Sequence, residues 1–271
     1  MQIGVDIGGS LTKVVMVSSS ERQYRLFEHT DAAGVAASLP PACEVFVTGC
    51  GAKDLARRLE TRSQPETKTR VHVCDELRAF CAGARQLVHE QDPEAEPFVL
   101  TSMGTGTSIF YVSQDEGTRA AGTGVGGGTI TGLGGLLLST GDFVRLMDLA
   151  GRGRRQRVDL MVSDLYPDAA ESPVLSALTA ANFGLGRCAA DIQPEDVASA
   201  IVQMVVESVA VLSIQVARTH KTRRVVIAGS PSSHRLIRQR FLEIGDYLGH
   251  EFAFLQHGAF CGALGAVLTC R

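Results

Sequence analysis

The sequence has no Cys-x-x-Cys pair, no excess of positive charge and no phosphate loop ending in Gly-Lys-Ser/Thr, and each absence narrows what the chain can be. Its seven cysteines, Cys43, Cys50, Cys74, Cys81, Cys188, Cys261 and Cys270, are odd in number, scattered, and mostly flanked by apolar residues. No spacing among them suits a zinc site, so the thiols read as reduced and partly buried, with no metal or cluster role. Lys and Arg number 26 against 29 Asp and Glu, a formal net charge of -3, which does not supply the basic face of a nucleic-acid binder. The one dense basic run, Arg152, Arg154, Arg155 and Arg157, reads as a solvated surface turn. No apolar run approaches the roughly 18 residues that span a bilayer, and Met1 leads straight into the strand-like IGVDIG with no room for a cleavable signal. A cytoplasmic protein with neither nucleic acid nor membrane as a partner is expected.

Glycine, by contrast, is concentrated in three turns that each leave a short apolar strand: GVDIGGSLTK (Gly4 to Lys13), MGTGTS (Met103 to Ser108) and GTGVGGGT (Gly122 to Thr129). Glycine beside a hydroxyl residue lets backbone N–H and O–H donors come close to a polyphosphate. Three such turns, one carrying an acid and a lysine, read together as an ATP-phosphate site.

In 271 residues, 45% of them hydrophobic, there is enough to fill a substantial core in one large domain or two lobes. The runs Ile3 to Ile7, Leu11 to Val17 and Tyr24 to Glu28 read as a β-meander. A helix over Ala32 to Ser38, a strand over Glu44 to Thr48, a helix over Ala52 to Glu60, a strand over Arg70 to Val73 and a helix over Asp75 to Glu90 follow. This alternation implies an α/β lobe. The acidic, proline-bearing segment Gln91 to Pro97 marks the boundary between lobes 1–96 and 97–271. The plan then repeats without repeating sequence, with strands at Phe98 to Met103, Ser108 to Val112 and Thr118 to Ala121. Helices are expected at Ile130 to Ser139, Asp142 to Gly151 and near Leu160 to Leu165. Pro194 to His220 reads as a long core helix with Ile201, Val205, Leu212 and Val216 on one face. Strand Arg224 to Ala228, helix Arg235 to Tyr247, strand Glu251 to Leu255 and a small-residue helix Gly258 to Thr269 close the chain.

Asp6, just before Gly8 and Gly9, either faces phosphates through Mg2+, which needs only one or two carboxylates, or caps its own turn. Ser10, Thr12 and Lys13 stand where they can donate to β- and γ-phosphates, although a strand lysine is also at home in solvent. The segment GGGTITG (Gly126 to Gly132) follows a meander and not a strand-helix-strand unit, which disfavours nicotinamide chemistry. Phosphoryl transfer to an alcohol needs a carboxylate that takes the hydroxyl proton. Glu76, at the strand-to-helix junction in VHVCDELRAF, is the candidate; with Asp75 it would equally serve the helix dipole. Arg119, before the third glycine turn, either clamps an anionic substrate with its planar fork or lies on the surface.

These residues together resemble the type II pantothenate kinases, close to the short bacterial (staphylococcal-type) enzymes and more distantly the eukaryotic ones. GVDIGGSLTKVV, CDEL, MGTGTSIFYV, RAAGTGVGGGTITGLGGLL, VDLMVSDLYPD, LTAANFG, VVIAGS and HGAFCGALGAVL follow the family's order along nearly the whole chain. The resemblance implies an α/β fold of the acetate kinase/sugar kinase/Hsp70/actin superfamily, with two ribonuclease H-like lobes around an ATP cleft. It implies ATP-dependent phosphorylation of pantothenate to 4′-phosphopantothenate, with ATP and Mg2+ as cofactors and a homodimer that uses the Pro194 to His220 helix. It assigns Glu76 as proton acceptor, Arg119 as substrate clamp, Thr105 at the meeting point of nucleotide and pantothenate, and Thr179 and Ala180 as pantothenate contacts. Gly8, Gly9, Ser10, Leu11, Thr12 and Lys13 match the first ATP loop. Gly127, Gly128, Thr129, Ile130 and Thr131 match the turn that opens a helix against the nucleotide, and Phe143 and Ser230 match further nucleotide contacts. The chain departs from the pattern at Arg78, where an acid is usual, and at Ser102 and His257, where asparagine is common. Two other functions stay open, a kinase of another small alcohol or amino sugar and a non-catalytic ATP-binding switch.

Overall fold

A computed structural model describes residues 1–270 apart from 19–20, 28–31, 41–42, 63–68, 96, 114–116, 169, 173–175 and 187–190, which places Glu28, Glu96 and Cys188 outside the described residues. The opening meander is β1 (Gln2–Ile7), β2 (Thr12–Val17) and β3 (Arg22–Phe27), paired antiparallel in sequence order. After α1 (Ala32–Ser38), β4 (Glu44–Thr48) lies parallel to β1; after α2 (Ala52–Arg62), β5 (Arg70–Val73) lies parallel to β4. The sheet order is therefore β3-β2-β1-β4-β5, with β1 central and buried on both faces. Helix α3 (Glu76–Gln91) leaves β5, capped by the Asp75 carboxylate, which accepts from the Arg78 amide at 2.8 Å.

The second sheet has the same plan. β6 (Phe98–Met103), β7 (Thr107–Val112) and β8 (Gly117–Thr123) form an antiparallel meander. Then come α4 (Gly127–Leu138), α5 (Phe143–Arg152), β9 (Leu160–Met161), α6 (Val162–Leu165), β10 (Thr179–Ala181) and α7 (Pro194–Thr219). β11 (Arg224–Ala228) adds parallel to β6, and after α8 (Arg235–Leu248), β12 (Glu251–Phe254) adds parallel to β11. The order β12-β11-β6-β7-β8 mirrors the first sheet. The last helix, α9 (Cys261–Thr269), returns to the first half of the chain.

Several sequence expectations need correction. Pro194–Thr219 is long and apolar enough to cross a membrane, against the expectation that no segment is, but 67% of its apolar window is buried inside the protein, where it packs the core with Ile201, Val205, Val209 and Ile214. The expected helix over 160–165 begins as β9, paired antiparallel with β10, which sequence periodicity did not reveal. Arg155 is no solvated residue: its side chain is 14% exposed and lies 3.4 Å from the fully buried Asp159. Two cysteines are not thiols, because Cys74 and Cys270 are joined as a disulfide across a Cα–Cα distance of 6.1 Å, whereas Cys43, Cys50, Cys81 and Cys261 are free. His257, the departure from asparagine, holds a left-handed backbone (φ 58°) and stacks on Tyr24 at 4.0 Å between ring centroids. Asparagine and histidine are both over-represented in that conformation.

α9 meets its neighbours at backbone contact. A Cβ at Gly83 of α3 would collide with the Cys261 carbonyl, one at Gly265 with the Ala79 carbonyl, and one at Gly4 of β1 with the Ala263 carbonyl. Ordinary helix pairs stand 8–10 Å apart because side chains separate them; glycine removes that layer. Gly265→Ala is expected to destabilise the protein by about 1–3 kcal/mol through overpacking. Urea unfolding checks this; a gain of about 1 kcal/mol, as helix propensity alone dictates, would refute the close crossing.

Candidate active site

Asp6 is the penultimate residue of β1, opposite Lys13 of β2. Two glycines wall its carboxylate: a Cβ at Gly49 would lie 2.6 Å from Oδ1, and one at Gly262 would lie 2.8 Å from Oδ2. Gly49 also has φ +89°, a conformation that glycine adopts without strain. Lys13 Nζ is 3.9 Å from Asp6 Oδ2 and donates to the Leu11 carbonyl at 3.3 Å. Burial pushes the Asp6 carboxyl up to about 6; Lys13 offsets this, and the negative charge of Glu76 adds to it. Glu76 therefore lies within electrostatic reach of Asp6.

Glu76 is the first residue of α3, exposed, with no hydrogen bond or ion pair among the described residues. Arg119 is likewise exposed and unpaired. Its strand contains a bulge in which Ala121 faces Ile109 and Arg119 faces Phe110, so Ala120 is the extra residue and Arg119 is re-aimed. The guanidinium then folds across Gly122, where a Cβ would collide with Nη2. Gly117 lies against Cys81 of α3, where a Cβ would come within 2.6 Å of the Cys81 Cβ. From there Arg119 is about 6.6 Å along the strand and Glu76 about 7.5 Å along the helix, so the two stand at a similar level.

The three glycine turns converge. Ser10 Oγ and Thr105 Oγ1 share a hydrogen bond of 2.8 Å, which joins the first turn to the second. The second and third interlock: the Gly127 amide donates to the Gly104 carbonyl at 2.7 Å and the Gly128 amide to the Thr105 carbonyl at 2.9 Å. A Cβ at Gly126 would sit 2.7 Å from the Thr105 carbonyl oxygen. Thr129 Oγ1 accepts from the Gly126 amide at 3.1 Å, and Thr131 Oγ1 donates back to Gly127 and Gly128 carbonyls. The first two amides of α4 are thus already engaged, and the donors left for a phosphate include the amides of Gly9, Ser10 and Thr105, which have no acceptor among the described residues. Ile130 is buried in the core beneath α4, and Thr12 is buried. Leu11 is half-buried, and its carbonyl accepts from the Gly8 amide at 3.1 Å.

Ser230 follows Gly229, whose φ of +102° brings the backbone onto Met103 at the end of β6. Pro231 touches the start of α4, where a Cβ at Gly127 would lie 2.9 Å from its Cγ. Phe143, at the start of α5, meets His234 edge-on with ring centroids 6.3 Å apart. These residues form one cluster at the carboxyl ends of β6 and β11, the usual side for a ligand in an α/β sheet. Thr179 and Ala180 are not brought to it by any contact among the described residues; Thr179 is held instead by Arg155 and Glu207.

Sequence reasoning missed Gly49, Gly262, His234, Arg155 and Glu207. Gly49 had the same signal as the others, because TGCG (Thr48 to Gly51) is a fourth glycine turn leaving an apolar strand. The rest carry no local signal.

The Asp6 carboxyl titrates at 3.8 in an unfolded chain and at about 6 in the folded one. Its charge weighs against folding not at all below the lower value, increasingly between them, and fully above the higher, by about 3 kcal/mol. Asp6→Asn is therefore expected to stabilise the ligand-free protein by up to about 3 kcal/mol near pH 8 and by little near pH 4. Urea denaturation at both pH values measures it, and an equal gain at the two would eliminate buried charge as the cause.

The family model described as Fumble matches residues 23–269. A type II pantothenate kinase of Oceanobacillus iheyensis is 33% identical over 274 residues, covering 99% of this chain and 99% of the relative. One of Staphylococcus haemolyticus is 34% identical over 274 residues, covering 98% and 99%. Among solved structures, a ROK family protein from Streptococcus pneumoniae TIGR4 in complex with sucrose superimposes with a TM-score of 0.56 at 11% identity, over 98% of this chain and 96% of the other. The fold is accordingly that of the acetate kinase/sugar kinase/Hsp70/actin superfamily, and by sequence the chain belongs to the Fumble family, that of the type II pantothenate kinases.

Proposed function

We propose that this chain transfers the γ-phosphoryl group of ATP to the 4′-hydroxyl of pantothenate, the first step of coenzyme A biosynthesis. The observation that carries this is the identity of 33% to a type II pantothenate kinase along 99% of both chains. The geometry supports it: an unpaired Glu76 at a helix start within electrostatic reach of Asp6, and three interlocked glycine turns, the first of which carries Lys13 against Asp6.

Asp6 suits a divalent cation, because its walled oxygens accept no hydrogen bond among the described residues and its nearest cation, Lys13, stands at 3.9 Å. Mg2+ held there, directly or through water, would offset charge on the phosphates. Glu76 takes the proton of the attacking hydroxyl, and its exposure leaves it free to meet the substrate. Ser10, Thr105 and the free amides of the first two turns donate to phosphate oxygens, with Lys13 adding positive charge. Arg119 holds the substrate carboxylate or a neighbouring polar group through its two-pronged guanidinium.

The same reading divides the chain into lobes 1–96 and 97–271, with α9 crossing back onto the first sheet. It includes a cytoplasmic homodimer, for which α7 offers its exposed edge of Ser208, Val211, Gln215 and Arg218.

Purified protein incubated with ATP and pantothenate is expected to yield 4′-phosphopantothenate by mass spectrometry. Turnover of an amino sugar or another alcohol in its place would redirect the assignment within the superfamily. Glu76→Gln is expected to lower kcat by roughly 10²–10⁴ while nucleotide binding persists; an unchanged kcat would remove Glu76 as the base. Arg119→Ala should act mainly on KM for pantothenate, and unaltered saturation would end its role as a clamp.

A further inference from the structure

The disulfide joins two points on either side of the α3–α9 contact. Cys74 lies between β5 and α3, two residues before Glu76, and Cys270 follows α9, 196 positions further along. The two cysteines are held unequally. The Cys74 amide donates to the Val47 carbonyl at 2.8 Å, its carbonyl accepts from the buried Thr48 Oγ1 at 3.3 Å, and its side chain is buried with Phe46, Ala79, Ala266 and Val267. Cys270 is half-buried, and its amide donates to the Ala266 carbonyl at 3.3 Å, within the last turn of α9.

The same end of α9 packs on the first turn of α3, where Gly265 lies against the carbonyl of Ala79, one turn after Glu76. Near its other end, Gly262 walls the Asp6 carboxylate. The placement of both candidate carboxylates therefore passes through α9, and the disulfide pins its C-terminal end. Opening the bond leaves Cys74 a place to stay: its Sγ lies 3.6 Å from the Ala266 carbonyl and 3.7 Å from the His72 carbonyl, each an acceptor for a thiol hydrogen. Cys74 is thus accommodated in either redox state, and what reduction releases is the end of α9.

We propose that Cys74 and Cys270 are a redox-active pair that sets the position of α9, with a dithiol as reaction partner and the rate of phosphoryl transfer as output. This rests on the kinase reading and its cytoplasmic setting, where lasting disulfides are rare and those that form are mostly redox-sensing or catalytic. A thiolate of the dithiol attacks Sγ of Cys270, the more accessible sulfur, and the S–S bond breaks. Cys74 leaves as a thiolate beside the start of α3, where a helix N-terminus favours negative charge, and then takes up a proton. The second thiolate of the partner attacks its own bound sulfur and releases Cys270, which is protonated in turn. Two electrons and two protons pass to the cysteine pair, and the dithiol becomes a disulfide; a disulfide oxidant runs the exchange backwards.

The test is a redox titration of the full chain against mixtures of reduced and oxidised dithiothreitol. At each mixture the disulfide fraction is read by alkylation and mass spectrometry of the peptides that carry Cys74 and Cys270, and kcat and both KM values are measured. Reduction is expected to lower kcat roughly three- to tenfold, because small misplacements of reacting groups slow the chemical step, with KM for ATP and pantothenate essentially unchanged. The kcat curve and the disulfide curve should share one midpoint. Cys270→Ser is expected to hold kcat at the reduced value in every mixture. Should Cys270→Ser not fold, amide hydrogen exchange of the wild type carries the test: residues 76–80 and 265–270 are expected to exchange faster once the pair is reduced. The proposal is overturned if kcat and exchange are the same in the two states, if Cys270→Ser still responds to the mixture, or if the two cysteines stay unpaired under oxidised dithiothreitol. Absence of turnover in every mixture brings down the kinase assignment and the rate effect with it, and the exchange rates then decide whether the pair sets the position of α9.

Discussion

The contact of α9 with α3 and β1, made backbone to backbone, is the constraint on which the site depends. β1 carries Asp6 and α3 begins at Glu76, and these two elements meet the same short helix from the far end of the chain. Glycine in a helix costs about 1 kcal/mol relative to alanine, and α9 has Gly262 and Gly265 within nine residues. Close approach offsets that cost, since Gly265 and Gly83 replace a layer of side chains by direct contact. Any thickening of this contact would move Glu76 away from Asp6, so packing and chemistry are set by the same residues. The disulfide between Cys74 and Cys270 ties the end of α9 to the residue two before Glu76, which adds a covalent link to the same junction.

Asp6 shows how that packing creates reactivity. Gly49 and Gly262 bring backbone to within contact of both carboxylate oxygens, removing water without supplying hydrogen bonds. A buried, weakly compensated charge is unfavourable in the ligand-free state. The same imbalance makes a cation or a cation-bearing nucleotide favourable there, and whatever binds only the folded form stabilises it by mass action. Stability is given up at this position in a way that binding can return.

What could be read in the sequence is what is local. Strands Glu44–Thr48, Arg70–Val73, Phe98–Met103 and Arg224–Ala228 were legible to the residue because apolar runs and turn residues bound them closely. The glycine turns were legible because phosphate recognition uses backbone donors and needs glycine at the contact itself. β10 was not, since three residues show no periodicity and its pairing with β9 depends on segments that meet only in the fold. Arg155 read as solvated because Ala177 and Thr179, to which it donates, lie far along the chain. Helix α7 has the hydropathy of a membrane span, and only its neighbours show that its apolar face is core. Cys74 and Cys270 are 196 positions apart, a separation from which no spacing rule could pair them.

The ion network beside Thr179 is hard to account for as a source of stability. Asp159 is fully buried and its carboxyl is pushed up by burial, although the Phe183 amide and Arg155 work against this. Arg240, also buried, is pushed down to about 10 by burial and is held by the Ser199 carbonyl at 2.8 Å and Gln203 at 3.2 Å. Buried ion pairs return their desolvation cost only when the geometry is good and the remaining polar atoms are satisfied, and apolar replacements of similar volume are often at least as stable. Such groups fix orientation better than apolar packing does, because each donor and acceptor has a direction. Here the bonds of Arg155, Glu207 and Asp159 lead to one short segment, 177–183, in which Ala180, Ala181 and Asn182 are exposed. A rigid strand with an open outer face is what a binding segment requires and what a purely structural hairpin does not, so the network is better explained by what the strand presents than by the energy it adds.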